Sequence, residues 1–224
     1  SQVVSFTGAN DLVNSKEFWL LPATVVLEGG HDSASSLASH AIVQATSTGL
    51  LYCDAFRTQD LDNDQAFYSN ANDDVFFNHR VKLYIAARLD DGASNSRCWL
   101  GFVDGAATAL RLTDTPAVSV IAFRASSSVP DATWKAVVGN GGAQTVANTG
   151  VAISATATQH FRIEWGLGAT SVQFYIDNVL VATITTTLPA ATDSFRYVMS
   201  VTCVSGAFRR FVSFAEVRGQ HSNA

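Results

Sequence analysis

One segment constrains the fold more than any other: residues 161–189, FRIEWGLGATSVQFYIDNVLVATITTTLP. Phe161, Ile163 and Trp165 alternate with Arg162 and Glu164. After a short Gly-containing break, Val172, Phe174 and Ile176 alternate with Ser171, Gln173 and Tyr175. Period-two alternation sends one set of side chains into a core and the other to the opposite face of a sheet. Asp177-Asn178 falls where a two-residue hairpin loop belongs, and a β-branched run follows at 179–186. Three consecutive antiparallel strands are the direct reading.

The rest of the chain repeats this pattern. Strands are expected near 18–28, 41–45, 50–56, 74–78, 80–89, 97–103, 118–124, 133–138, 144–148, 151–154, 196–205 and 207–218. Turn chemistry such as Asp90-Asp91-Gly92, Asp104-Gly105 and Gly139-Asn140-Gly141-Gly142 separates them. No helix of three turns is evident. Short strands with turns every 8–12 residues are the spacing of a sandwich or barrel. The fold class is therefore all-β, an antiparallel β-sandwich. At 224 residues with no linker or internal repeat, a single sandwich over 18–219 is expected, with an N-terminal arm at 1–17 and a C-terminal tail at 220–224.

Charged residues make up only 15% of the chain, so much of its surface is neutral and hydroxyl-bearing. Such a surface favours association, and a homo-oligomer, dimer or trimer, is expected. The net charge of −5 equals the local sum over 54–74, where Asp54, Asp60, Asp62, Asp64, Asp73 and Asp74 face a lone Arg57. No basic stripe exists to neutralise phosphates, which excludes nucleic acid as a partner. There is neither a polybasic lipid anchor nor an apolar run of about 18 residues, which argues against a membrane partner.

Cys53, Cys98 and Cys203 are odd in number and widely spaced, and read as small buried hydrophobes suited to a reducing cytoplasm. The five histidines are dispersed and form no zinc spacing. A retaining glucanase needs two carboxyl groups about 5–5.5 Å apart, which Glu-x-Asp-x-Glu on one strand supplies. Only Glu17, Glu28, Glu164 and Glu216 are present, none with a carboxylate two residues away. The expectation is a chain that is not an enzyme, with Glu164 a solvated strand charge.

Asp60, Asp62 and Asp64 have the alternation with which calcium loops begin, but Gln65 and Ala71 stand where an EF-hand needs Gly and Glu. The loop is either a looser calcium site, the one cofactor the sequence offers, or a solvated, partner-facing acidic segment. Trp99, Trp134, Tyr68 and Tyr175 are candidates for a sugar platform. Trp99 and Trp165, however, alternate as core residues do, whereas Tyr175 lies on the polar phase of its strand. Tyr175, Arg209 and Arg210 are the candidate ligand or partner contacts. Phe208, Phe211 and Phe214 have a spacing that implies a bulge or two-sided burial.

VKLYIAARL at 81–89, WLGFVDG at 99–105, IAFR at 121–124, WKAVVGNGGAQTVANTGVAI at 134–153, HFRIEW at 160–165, VQFYIDNVLVATITTTLP at 172–189 and VSFAEVRG at 212–219 together resemble concanavalin A-like, laminin-G-like jelly-roll domains. The likeness, strongest over 75–219, is to the kind found in tailed-phage structural proteins of capsid or tail. Asp177-Asn178 stands where that family usually has Asp-Gly. The resemblance implies a non-enzymatic virion protein, made in the host cytoplasm. Its role would be capsid decoration or cement, bridging capsomers through the major capsid protein or other virion proteins. The second reading is a carbohydrate-binding module or adhesin, tail- or fibre-associated, with a glycan partner and calcium assistance.

Overall fold

The computed structural model describes residues 15–20, 54–57, 65–69, 75–89, 94–205 and 211–222. Asp60, Asp62, Asp64, Arg209 and Arg210 lie outside them, as do Cys53 and Phe208. The described residues form two antiparallel sheets. The first runs, from edge to edge, β1 (Ser15–Leu20), β14 (Phe211–Ser222), β5 (Arg80–Leu89), β10 (Gln159–Trp165), β11 (Val172–Ile176) and β12 (Val179–Ile184), with β2 (Asp54–Arg57) also on β14. The second runs β3 (Gln65–Ser69), β13 (Ser194–Cys203), β6 (Ser96–Val103), β7 (Ser119–Ser126), β8 (Thr133–Asn140) and β9 (Gln144–Ala152), with β4 (Val75–Phe76) on β13. Ser15–Glu17 and Gln220–Ser222, expected in an arm and a tail, pair with each other as strand residues.

The inward phase of each strand builds the core between the sheets. Leu83, Ile85, Phe161, Ile163 and Phe174 meet Leu100, Phe102, Phe123, Trp134 and Phe195. Phe123 packs on Phe161 and Phe174 with ring centroids 5.0 and 5.2 Å apart, and Trp134 meets Phe161 edge-on at 4.8 Å. The Trp134 indole N–H donates to Gln159 Oε1 at 2.8 Å, so its one polar atom is satisfied inside the core.

Strands β6 and β7 are buried on both faces. Behind them Trp99, Val103, Val120, Ala122, Val137 and Val198 form a second, smaller core, capped by Ala107 and Leu110 of a single 3-10 turn. The connection carrying that turn is anchored by Asp114. Its carboxylate accepts from Arg97 Nε and Nη2 at 2.9 and 3.0 Å, and its main-chain carbonyl accepts from Arg124 Nη1 and Gln144 Nε2. Arg124 in turn donates to Asp131 at 3.1 Å. Trp99, which its alternation placed in the core, is fully enclosed here, and Trp134, the other tryptophan considered for a sugar platform, is equally buried in the main core.

The β11–β12 hairpin confirms the expected turn. Asp177 and Asn178 have φ of 50° and 65°, the left-handed pair a two-residue hairpin requires. Asp177 ties the turn to the neighbouring strand β10: its N–H donates to the His160 carbonyl at 2.8 Å, and its Oδ1 accepts from the His160 N–H at 2.9 Å. Asn178→Gly should raise stability by roughly 0.5 kcal/mol, because glycine takes this conformation without steric cost. A urea titration showing a lower midpoint would mean that the Asn178 side chain contributes more than its backbone strain removes.

Candidate functional site

The reverse face of the first sheet carries the polar phase of its strands, and register decides which residues meet. Arg162 on β10 lies opposite Tyr84 on β5 and Tyr175 on β11. Glu164 lies opposite Lys82 and Gln173 on the same two neighbours. Tyr175 in turn lies opposite the exposed Leu180 of β12. Two rows therefore cross the strands side by side. One is Tyr84, Arg162, Tyr175 and Leu180, and the other is Lys82, Glu164 and Gln173. By register the first row continues to Arg218 and Trp19, and the second to Gln220 and Glu17.

The first row is a stack. The Arg162 guanidinium carbon lies 3.7 Å from the Tyr175 ring centroid and 5.9 Å from that of Tyr84. Attraction to the ring quadrupoles fixes the plane of the guanidinium, so its donors are held in place before any ligand arrives. The second row is an electrostatic junction. Glu164 Oε2 lies 3.7 Å from both Lys82 Nζ and Arg162 Nε. At that distance neither contact is a hydrogen bond. Glu164 Oε2 and Arg162 Nε are both buried, yet neither has a hydrogen-bond partner. The Tyr175 hydroxyl donates to Gln173 Oε1 at 3.1 Å. Burial, and then the neighbouring Glu164 carboxylate, hold the Tyr175 phenol above its ordinary pKa, with Arg162 working against the shift.

Beside this junction a cleft of about 270 Å³ opens, lined by Arg80, Lys82, Glu164, Ser171, Gln173 and Trp165. Both sheets thus have an outward face, but the connection anchored by Asp114 packs a second core onto that of the second sheet. The reverse face of the first sheet is where polar and aromatic groups meet an open cleft among the described residues.

Of the sequence candidates, Tyr175 stands in this site. The expectation of a solvated Glu164 is corrected: its side chain is 17% exposed, wedged between two cations. Tyr84, Arg162, Lys82 and Gln173 were not singled out from the sequence. Their signal was present in the polar phase of VKLYIAARL and HFRIEW, but only the register brings them together. No group of three His, Cys, Asp or Glu side chains gathers as a metal site among the described residues. The expected calcium ligands Asp60, Asp62 and Asp64 and the contacts Arg209 and Arg210 are not among those residues. Cys98 and Cys203 are buried free thiols, and burial pushes the Cys98 thiol well above its usual range.

No family model matches this sequence, and no curated protein does. Solved structures do. An endo-β-1,4-glucuronan lyase from Trichoderma reesei superposes with a TM-score of 0.59 at 11% identity, covering 85% of this chain and 92% of its own. The β-glucanase of Bacillus licheniformis gives 0.53 at 10% identity, covering 97% and 95%. The carbohydrate recognition domain of Emp46p, in potassium-bound form, gives 0.53 at 9% identity, covering 74% and 82%. At these identities the likeness establishes the fold, a concanavalin A-like antiparallel jelly roll, as the sequence led us to expect.

The same comparison corrects the expectation that the chain is not an enzyme. Its structural neighbours are mostly hydrolases, lyases and transglycosylases. The missing Glu-x-Asp-x-Glu pattern bears on one double-carboxylate chemistry and not on the others that such a scaffold carries. The similarities give a phage origin or a capsid role no support.

Proposed function

We propose that this chain binds carbohydrate on the reverse face of its first sheet. The observation that carries this reading is the open cleft in which Arg80, Lys82, Glu164, Ser171 and Gln173 bring charged and neutral hydrogen-bonding groups together, next to the row of Tyr84, Arg162 and Tyr175. A sugar hydroxyl donates and accepts at once, so one such group can give a hydrogen bond to Glu164 while receiving one from Arg80 or Lys82. Charge-assisted bonds of this kind are about twice as strong as neutral ones. Tyr84, Tyr175 and Leu180 supply the apolar surface on which the C–H face of a pyranose rests. Glycan-active and glycan-binding proteins of the same fold support the reading, which matches the second of the two functions inferred from the sequence.

Tyr175→Ala removes the ring that orients Arg162. It should weaken oligosaccharide binding by about tenfold, equivalent to roughly 1.4 kcal/mol, while leaving the circular-dichroism spectrum unchanged. Titration calorimetry against a panel of β-linked glucans and polyuronates measures this, and release of reducing ends from the same polymers records whether bonds are cleaved. Unaltered affinity in the variant would remove this face from consideration.

A further inference from the structure

The cleft is not neutral. Arg80 and Lys82 lie two residues apart on β5, on the phase that faces away from the core, and both line the cleft. Arg162 adds a third cation to the same face, and Glu164 is the carboxylate that faces them. This cationic surplus belongs to a chain whose net charge is −5, so it runs against the overall charge of the molecule. Glu164 sits at 3.7 Å from Lys82 and from Arg162, too far to satisfy the donors of either. Arg80 is exposed where it lines the cleft, and the lining residues from the β11 side, Ser171 and Gln173, are uncharged. The volume of about 270 Å³ lies just below the ~300 Å³ at which sites for drug-sized ligands begin, so it suits a single sugar unit.

Resting on the carbohydrate-binding reading above, we infer that the ligand is an acidic glycan. Its anionic oxyacid group, a uronate carboxylate or a sulfate ester, is held by Arg80 and Lys82. Glu164 then has a defined part. It accepts from a neighbouring sugar hydroxyl and repels an anion placed one strand too far in, so it sets the orientation of the sugar in the cleft. Arg162, stacked on Tyr175 beside the cleft, adds to the positive potential of the same face.

The test is calorimetric titration of the full chain at 50 and 300 mM NaCl with four polymers. These are a polyglucuronate, a sulfated galactan, and uncharged β-1,3- and β-1,4-glucans of similar length. At 50 mM salt at least one anionic polymer should bind about tenfold more tightly than the neutral glucans, and the advantage should shrink at 300 mM. The charged polymer that shows the advantage identifies the anionic group. In Arg80→Gln/Lys82→Gln the advantage should fall toward one, whereas Lys82→Arg should keep it. An unchanged melting temperature separates lost recognition from lost folding. Equal binding of neutral and charged polymers by the wild type, or a preference that survives the double variant, overturns the acidic-glycan inference and leaves the carbohydrate site standing. Failure of all four polymers to bind removes both.

Discussion

Gly101→Ala is expected to destabilise the fold by about 3 kcal/mol, and to lower the urea midpoint by about 1.5 M for a slope near 2 kcal/mol/M. A Cβ built on Gly101 would stand 2.3 Å from the Ile121 carbonyl oxygen and 2.6 Å from Ala122 Cα, both main-chain atoms. Gly101 on β6 is paired with Ala122 on β7, so relief requires the two strands to separate. Those strands are buried on both faces, and no side chain can yield in place of the backbone. The residue also has φ of 156°, a conformation that suits glycine. A domain held by ~5–15 kcal/mol would lose a substantial part of its stability. Alanine tolerated with a midpoint shift below roughly 0.3 M would mean that β6 and β7 are further apart than described.

Asp114→Ala should cost a comparable amount, about 3 kcal/mol, for an electrostatic reason. The substitution strips the carboxylate from a buried Arg97, which then keeps only the Arg111 carbonyl at 2.6 Å and Ser128 Oγ at 2.9 Å. Arg97→Met/Asp114→Leu should be less damaging than the single change, because it leaves no uncompensated charge. Burial by itself would raise the Asp114 pKa. Hydrogen bonds from Arg97 and Ser126, followed by the charges of Arg97 and Arg124, outweigh it and set the carboxyl below its ordinary value. A depressed folded-state pKa contributes stability that is complete above the unfolded value of about 3.9 and is lost as pH falls through the folded one. Denaturation curves between pH 7 and pH 2 should therefore show an acid-side decline in the wild type that is shallower in Asp114→Ala. Parallel curves would show that this carboxylate titrates alike in the folded and unfolded chain.

The strands were legible wherever one face is buried. FRIEW and VQFYI alternate in the sequence as they do in the sheet, and the Asp177-Asn178 turn was readable from residue type alone. Strand β9 was less so: the sequence breaks it near Thr149-Gly150, while the sheet runs through from Gln144 to Ala152 with the bulge in β9 itself, where Asn148 to Ala152 span the length of Lys135 to Thr133. The site was half visible. Tyr175 announced itself by its phase, but Arg162 and Glu164 resembled ordinary strand charges. Their meaning comes from β5, whose Tyr84 and Lys82 are brought alongside by a pairing between distant parts of the chain. Register of that kind is set by the whole core and leaves no local mark. The burial of Trp99 was legible from its alternation, but the second core that encloses it was not, since that core depends on the folding back of the connection that holds Asp114. Function was the least legible level, because one fold accommodates many uses.

The stacked row runs across the strands, not along them, and this gives the surface a built-in ruler. Neighbouring strands are about 4.8 Å apart, so Tyr84 to Leu180 spans about 14 Å in equal steps, and the register extends the same line by two more steps toward β1. Across the four described side chains, Tyr84, Arg162, Tyr175 and Leu180, the spacing of the teeth is therefore set by backbone hydrogen bonding and not by side-chain length.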